Sequence, residues 1–187
     1  MKRLLSSIIV LAASLSAWAQ NIELTNDGTY EKKDVVTVDS VEASVLYGRA
    51  MEALSDWAGP DGKAKIGIDY HDKETGTVIY KGTFSLGFKE TFLGAGWNRY
   101  ADFTLKVKCK DGRAQVTVTV SQIVAIYNRG DIRTTSTVSE LVDAVKKSKK
   151  AKHERGVALV EYMKNMVDAL VVSMAGRLKK GNDDDDF

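Results

Sequence analysis

Apolar and polar side chains alternate through the middle of the chain, and this period of two constrains the fold more than any other feature. The alternation covers residues 64–70, 78–84, 103–109 and 116–120. Such a pattern is typical of strands that bury one face and expose the other. The sequence Lys110-Asp111-Gly112-Arg113 joins the last two segments as a tight hairpin. We therefore predict an antiparallel sheet with one apolar face.

A strand and a helix precede this alternating region. Residues 30–38 predict a first strand, and Asp39 lies three residues before Glu42, which is typical of a capping box. Apolar side chains then recur at helical spacing at these positions: Leu46, Ala50, Leu54 and Trp57. The whole order predicts an α+β fold with a five-stranded antiparallel sheet in β-α-β-β-β-β order and helices on one face.

The C-terminal part of the chain predicts a long amphipathic helix. Thr137 and Glu140 form a capping-box pattern, and a basic run covers residues 146–155. Apolar side chains then line one helical face: Leu159, Met163, Met166, Val167, Leu170 and Met174. Such a stripe has to be buried. Its destination is the chain's own sheet, a second copy in a homodimer, or an anionic membrane surface to which the basic run is attracted.

The first 19 residues have the three parts of a secretory signal peptide. Lys2 and Arg3 precede an apolar run at 4–15, and Ala17-Trp18-Ala19 supplies a small-x-small cleavage site. The run is shorter than the roughly 20 residues that a membrane-spanning helix needs. The residue directly after the cleavage site is Gln20 and not the cysteine of a lipoprotein. We therefore expect a periplasmic or secreted protein that is not a lipoprotein and has no transmembrane span in its mature chain.

Charge and cysteine content exclude two classes of protein. The whole chain has 27 basic and 25 acidic residues, and the signal peptide holds two of the basic ones, which leaves 25 of each. A neutral chain lacks the positive field that nonspecific nucleic-acid binding requires, so nucleic acid is not an expected partner. Cys109 is the single cysteine, which excludes an intramolecular disulfide.

Three motifs resemble a known family. They are Val35-Val36-Thr37-Val38, the pair Leu46-Tyr47 with Trp57, and Lys110-Asp111-Gly112. With the order of elements, they make the segment similar to the exported bacterial domain-of-unknown-function family 4468, described as having a TBP-like fold. The resemblance implies a fold and a compartment, but it supplies no activity and no site residues.

The predicted organisation follows from these patterns. It comprises a signal peptide at 1–19, a polar lead-in at 20–34, the TBP-like domain at 35–126, a loop at 127–136, a C-terminal helical arm at 137–180 and an acidic tail at 181–187.

Residue types suited to catalysis are sparse. His71 lies between Asp69 and Asp72, so a hydrolase with His71 as a carboxylate-held base is one alternative function. Cys109 shares the apolar register of its strand, which favours a core position over a nucleophile. Two histidines and one cysteine do not make a zinc site, and the aspartates at 183–186 lack the spacing of a calcium loop. We expect no catalytic residues, no cofactor and no metal.

Two surfaces remain as candidate partner-binding sites. The polar sheet face carries four lysines: Lys65, Lys81, Lys106 and Lys108. The segment 87–100 between the third and fourth strands carries Phe88, Phe92 and Trp97. Each surface has a plain alternative, since the lysines suit a solvated face and the rings suit an extension of the core or an extra hairpin.

These observations favour a non-catalytic exported binding or assembly module of the bacterial cell envelope. Its expected partner is another envelope protein, a glycan or an anionic surface. The alternative is a peripheral membrane-associated protein that uses the basic segment and the Met-rich amphipathic helix.

Overall fold

Six strands and three helices follow one another in the part of the chain that the structure describes. The computed structural model describes residues 23–180 except residues 55, 56, 58, 60, 61, 63, 93, 94 and 131. The predicted signal peptide at 1–19 and the acidic tail at 181–187 lie outside the described residues. The elements are β1 (Tyr30–Thr37), α1 (Ala43–Glu52), β2 (Ala64–Asp72), β3 (Thr77–Phe92), β4 (Ala95–Lys110), β5 (Arg113–Tyr127), β6 (Arg133–Thr137), α2 (Val138–Lys146) and α3 (Lys150–Lys180).

The strands form one antiparallel sheet in the order β1-β5-β4-β3-β2, and β6 also pairs with β5. β1 pairs with residues 113–120 of β5, and β6 pairs with residues 122–126 of the same strand. Since β4 occupies the other side of β5, β1 and β6 lie end to end along one edge. Ser121 is left out of the ladder between these two stretches, which marks a β-bulge.

The α+β class and the antiparallel sheet are confirmed, but the strand count differs from the predicted five. Residues 133–136, which the sequence places in a loop, form β6 together with Thr137, the first residue of the predicted arm. This strand, Arg-Thr-Thr-Ser-Thr, is polar throughout and has no alternation to reveal it. It forms because β5 extends to Tyr127 and offers a free edge beyond the end of β1.

Helix α1 differs from its prediction at both ends. It begins after Glu42, which makes no side-chain cap, and it ends at Glu52 instead of near Trp57. Asp39 is therefore not the cap. The role falls to Asp111 of the β4–β5 turn, whose Oδ1 accepts a hydrogen bond of 2.8 Å from the Ala43 amide. A carboxylate here satisfies a free helix amide and interacts favourably with the helix dipole.

The predicted C-terminal arm is two helices. The capping box at Thr137 and Glu140 is confirmed at the start of α2, with hydrogen bonds of 3.1 and 2.9 Å. Helix α2 ends at Lys146, where Ser148 donates to the Val145 carbonyl. Gly156 then lets α3 approach α2, because a Cβ at this position would lie 2.5 Å from Val145 Cγ2.

The apolar stripe of α3 is buried against the chain's own sheet. All six predicted stripe residues belong to the core, together with these inward-facing strand residues: Val78, Tyr80, Phe84, Leu105, Val107, Val116 and Val118. An ion pair of 3.3 Å between Lys32 and Asp168 ties α3 to β1. Arg49 of α1 donates to the Leu178 carbonyl at 3.0 Å. The stripe is therefore not available for pairing with a second chain or for lying on a membrane.

Candidate functional site

The sheet face that points away from the helices carries the four predicted lysines. Lys65, Lys106 and Lys108 are exposed, and Lys81 forms an ion pair of 3.1 Å with Asp69. Lys65 lies six residues from Lys108 along the sheet, or about 20 Å at the rise of a strand. The lysines therefore share a face but do not form one cluster.

One end of this face forms a depression of about 320 Å³, which we call the basic depression. Its lining side chains are Val35, Lys108, Lys110, Arg113 and Gln115. Among the described residues, no carboxylate lines it. Val35 is 54% exposed and adds an apolar contact surface. Three cations around one concavity attract an anionic group strongly, since a concave surface focuses their field.

The β4–β5 hairpin brings these cations together. Asp111 and Gly112 form its two-residue turn, with Gly112 at a φ of 73°. Lys110 and Arg113 pair directly across the hairpin, and Lys108 lies on the same face two residues earlier. Like charges directly opposite each other destabilise a sheet. An anion bound between them would remove this repulsion.

Lys110 and Arg113 are absent from the sequence-based candidates because residues 110–113 are assigned there entirely to the turn. The signal was present in the sequence. A two-residue Asp-Gly loop leaves its flanking residues in the ladder, and alternation then places Lys110 on the same face as Lys108.

The remainder of the outer face has mixed charge. Lys33 pairs with Glu31 at 2.7 Å. Burial raises the pKa of the Asp102 carboxyl, and the charge of Arg133 opposes this shift. Both anions and cations thus occur on the rest of the outer face, whereas the described lining of the basic depression holds cations alone.

The segment 87–100 is a strand hairpin and not a loop, since β3 and β4 run through it. Trp97 is half-buried and contacts Tyr127 of β5, with ring centroids 5.2 Å apart. The structure does not describe the side chains of Phe88 and Phe92. Trp97 therefore packs on the neighbouring strand of the sheet.

His71 does not contact the carboxylates that flank it in sequence. Its Nδ1 lies 2.9 Å from the hydroxyl of Tyr47. Asp69 pairs with Lys81, and Asp72 accepts hydrogen bonds from Glu74 N and the Thr75 hydroxyl at 2.9 and 2.8 Å. The Thr75 hydrogen bond is the main cause of the lowered pKa of Asp72. In the described part of the chain, His71 is thus hydrogen-bonded to neither of the two carboxylates that the hydrolase hypothesis pairs with it.

Cys109 lies in the core between the sheet and the helices. Burial raises the pKa of its thiol to about 11, so the thiolate that nucleophilic chemistry requires is disfavoured. Within the described ranges, no three side chains of the metal-binding types converge.

No helix in the described part of the chain combines the length and the hydrophobicity of a membrane-spanning helix.

Comparison with known proteins identifies the fold. The family described as "Domain of unknown function (DUF4468) with TBP-like fold" matches residues 33–124. A DUF4468 family protein from Bacteroides ovatus ATCC 8483 has a similar structure, with 16% identity and a TM-score of 0.52, covering 82% of this chain and 90% of that one. A TBP-like protein from Parabacteroides distasonis ATCC 8503 has 13% identity and a TM-score of 0.50, covering 82% and 96%. None of the curated proteins matches this chain significantly.

At these identities the two structures establish the fold alone. The matched range agrees within two residues at each end with the 35–126 expected from the sequence motifs. Residues 33–124 of this chain therefore form a domain of the DUF4468 family with a TBP-like fold.

Proposed function

We propose that this protein is a non-catalytic binding module of the bacterial cell envelope, and that its basic depression binds an acidic segment of a partner protein. The observation that carries the proposal is the set of three cations, Lys108, Lys110 and Arg113, around one concavity. Two of these cations oppose each other in the ladder, an arrangement that an anionic partner stabilises.

The other lining residues favour a polypeptide over a glycan. Val35 offers an exposed apolar contact, and Gln115 offers both a donor and an acceptor for peptide groups. The described lining contains no aromatic ring on which a sugar could stack. The depression also adjoins β1, a strand at the sheet edge.

Membrane association has weaker support. This alternative uses the Met-rich helix together with the basic run at 146–155. The apolar face of α3 is buried in the core, so only the basic run is left for that purpose. That run belongs to the helical layer, on the opposite side of the sheet from the basic depression.

A binding titration tests the proposal. We expect a short fluorescent peptide rich in Asp, Glu and Leu to bind at low salt and to weaken as ionic strength rises. The triple variant Lys108→Gln/Lys110→Gln/Arg113→Gln should bind the peptide at least about tenfold more weakly, since charge-assisted hydrogen bonds are lost. The peptide's Asn and Gln analogue should not bind.

The matched control is Arg177→Gln/Lys179→Gln/Lys180→Gln, which removes the same charge from the end of α3 and should bind like the wild type. If both triple variants lost the same affinity for the peptide, net charge alone would explain the effect, and a specific site would be refuted. Preference for vesicles of anionic lipid or for an acidic polysaccharide over the peptide would also refute it.

Export is part of the same proposal and rests on the pattern of residues 1–19. N-terminal sequencing of the protein recovered from the producing bacterium should give Gln20 as the first residue. Recovery of Met1 on the bulk of the protein would contradict export.

A further inference from the structure

A groove lies between the β3–β4 hairpin and the junction of α2 with α3, and we call it the hairpin–helix groove. Its volume is about 360 Å³. This lies near the lower end of the roughly 300–1,000 Å³ that is typical of small-molecule sites. Its position on the helical side of the sheet separates it from the basic depression.

The floor of the groove is apolar. Leu141 and Val145 of α2 and Leu159 of α3 line it. Gly156 also lines the groove, and its missing side chain leaves room for Val145 to pack against α3. The floor is therefore built from packed helical side chains and offers a surface for an aliphatic chain.

Basic side chains come from both walls. Lys89 and Arg99 belong to the hairpin, and Lys152 and Arg155 belong to the start of α3. Among the described residues, no acidic side chain lines the groove. The first turn of α3 likewise has no acidic residue, although the positive end of the helix dipole there favours anions. Four cations and a helix N-terminus thus act on one space.

Arg99 is the cation that is most withdrawn from water. Its Nε is buried and has no hydrogen-bond partner in the described part of the chain. Burial also lowers the pKa of its guanidinium. A buried donor without an acceptor is costly, and an anionic group beside Arg99 would supply the missing acceptor.

We propose that the hairpin–helix groove binds an anionic single-chain amphiphile of the medium-chain fatty-acid class. The carboxylate lies at Arg99, flanked by Lys89 and Lys152, and the alkyl chain covers the apolar floor. A small inorganic anion would leave the floor in contact with water, and a neutral lipid would leave the buried Nε of Arg99 without an anionic acceptor. This site is independent of the acidic-peptide site proposed above.

Isothermal titration of the whole chain with decanoate, below its micelle-forming concentration, tests the proposal. We expect saturable binding of one decanoate per chain. Decan-1-ol has the same chain without the charge, and inorganic phosphate has charge without the chain. Each should bind at least about tenfold more weakly than decanoate. Equal affinity for either one would overturn the proposal.

Two variants locate the site. Arg99→Gln should weaken decanoate binding at least about tenfold. Because a change at a half-buried residue also affects folding, Lys89→Gln/Lys152→Gln at two exposed positions provides a second test with the same expected direction. Lys179→Gln/Lys180→Gln, at the other end of α3, should bind decanoate like the wild type.

Unchanged affinity in both groove variants would refute the site. The site would also be refuted if the chain did not bind decanoate but sedimented with anionic phospholipid vesicles. That result would assign the groove cations to contact with a membrane surface. Acidic-peptide binding should be unaffected by the groove variants, which keeps the two proposals separable.

Discussion

Tyr80 connects the sheet to the end of α1 through one hydroxyl. This hydroxyl donates to the carbonyl of Ala50 and lies 3.0 Å from that of Met51. Both carbonyls belong to the last turn of α1, where helical carbonyls have no partner within the helix. Burial raises the pKa of Tyr80 to about 12. A single side chain thus closes a helix end that no local sequence signal terminates.

We predict that Tyr80→Phe lowers the free energy of unfolding by about 1–3 kcal/mol at neutral pH, because buried carbonyls lose their donor. The wild type loses stability as pH rises from 10 towards 12, since the unfolded phenol ionises first. The phenylalanine variant has no such group, so the difference should shrink over this range. Urea denaturation at pH 7 and pH 11 measures both effects; a constant difference would contradict the linkage to Tyr80.

Residue-level prediction worked where burial follows alternation. The alternation of residues 103–109 and 116–120 predicts one buried face, and Cys109 and Val118 both lie in the core. It failed where the partner is distant in sequence. Asp111 caps α1 across 68 positions, and a pattern confined to residues 39–42 cannot reveal that.

At the level of elements, the contact between α2 and α3 depends on one missing side chain. A Cβ on Gly156 would lie 2.5 Å from Val145 Cγ2, whereas nothing lies within 4 Å of a Cβ on Gly176. Both glycines lie within α3. Intrinsic helix propensity is therefore matched at the two sites while packing differs.

Gly156→Ala should destabilise the protein by about 1 kcal/mol or more, because overpacking exceeds the gain of up to about 1 kcal/mol in helix propensity. Gly176→Ala should stabilise it by up to about 1 kcal/mol. Thermal and urea unfolding of both variants compare them directly. Equal stabilisation in the two would show that the helices separate at no cost.

Among the elements, the position of a strand is easier to predict from sequence than the residues at which it begins and ends. Residues 101–110 of β4 and 113–120 of β5 alternate in burial, which fixes their faces. β6 is polar and owes its existence to the extended edge of β5. The basic depression likewise depends on where two strands end, at the turn between β4 and β5. Its members Lys110 and Arg113 are recognised only when the turn is limited to two residues.

For the whole molecule, α3 is an integral part of the core and not an appendage. Its 31 residues contribute Met163, Leu170 and Met174, which are fully buried. Truncation after Lys149 should therefore abolish cooperative unfolding and near-ultraviolet circular dichroism. Retention of a sharp transition would mean that the sheet is stable alone.

The solvent side of α3 supplies the control, because Val172 is 69% exposed. Val172→Ser should change the free energy of unfolding by no more than about 0.5 kcal/mol. Light scattering of the intact chain measures its oligomeric state, and any dimer would have to form through a surface other than the buried stripe of α3.

The position of α3 in the chain has a consequence for biogenesis. Synthesis proceeds from the N-terminus, so the sheet is complete in sequence before the helix that covers it leaves the ribosome. β1 also waits for β5, its partner across the hairpin strands. Pairings between such distant segments slow folding and prolong the exposure of apolar strands. The nascent chain should therefore need protection by a holding chaperone until its last helix is free to dock.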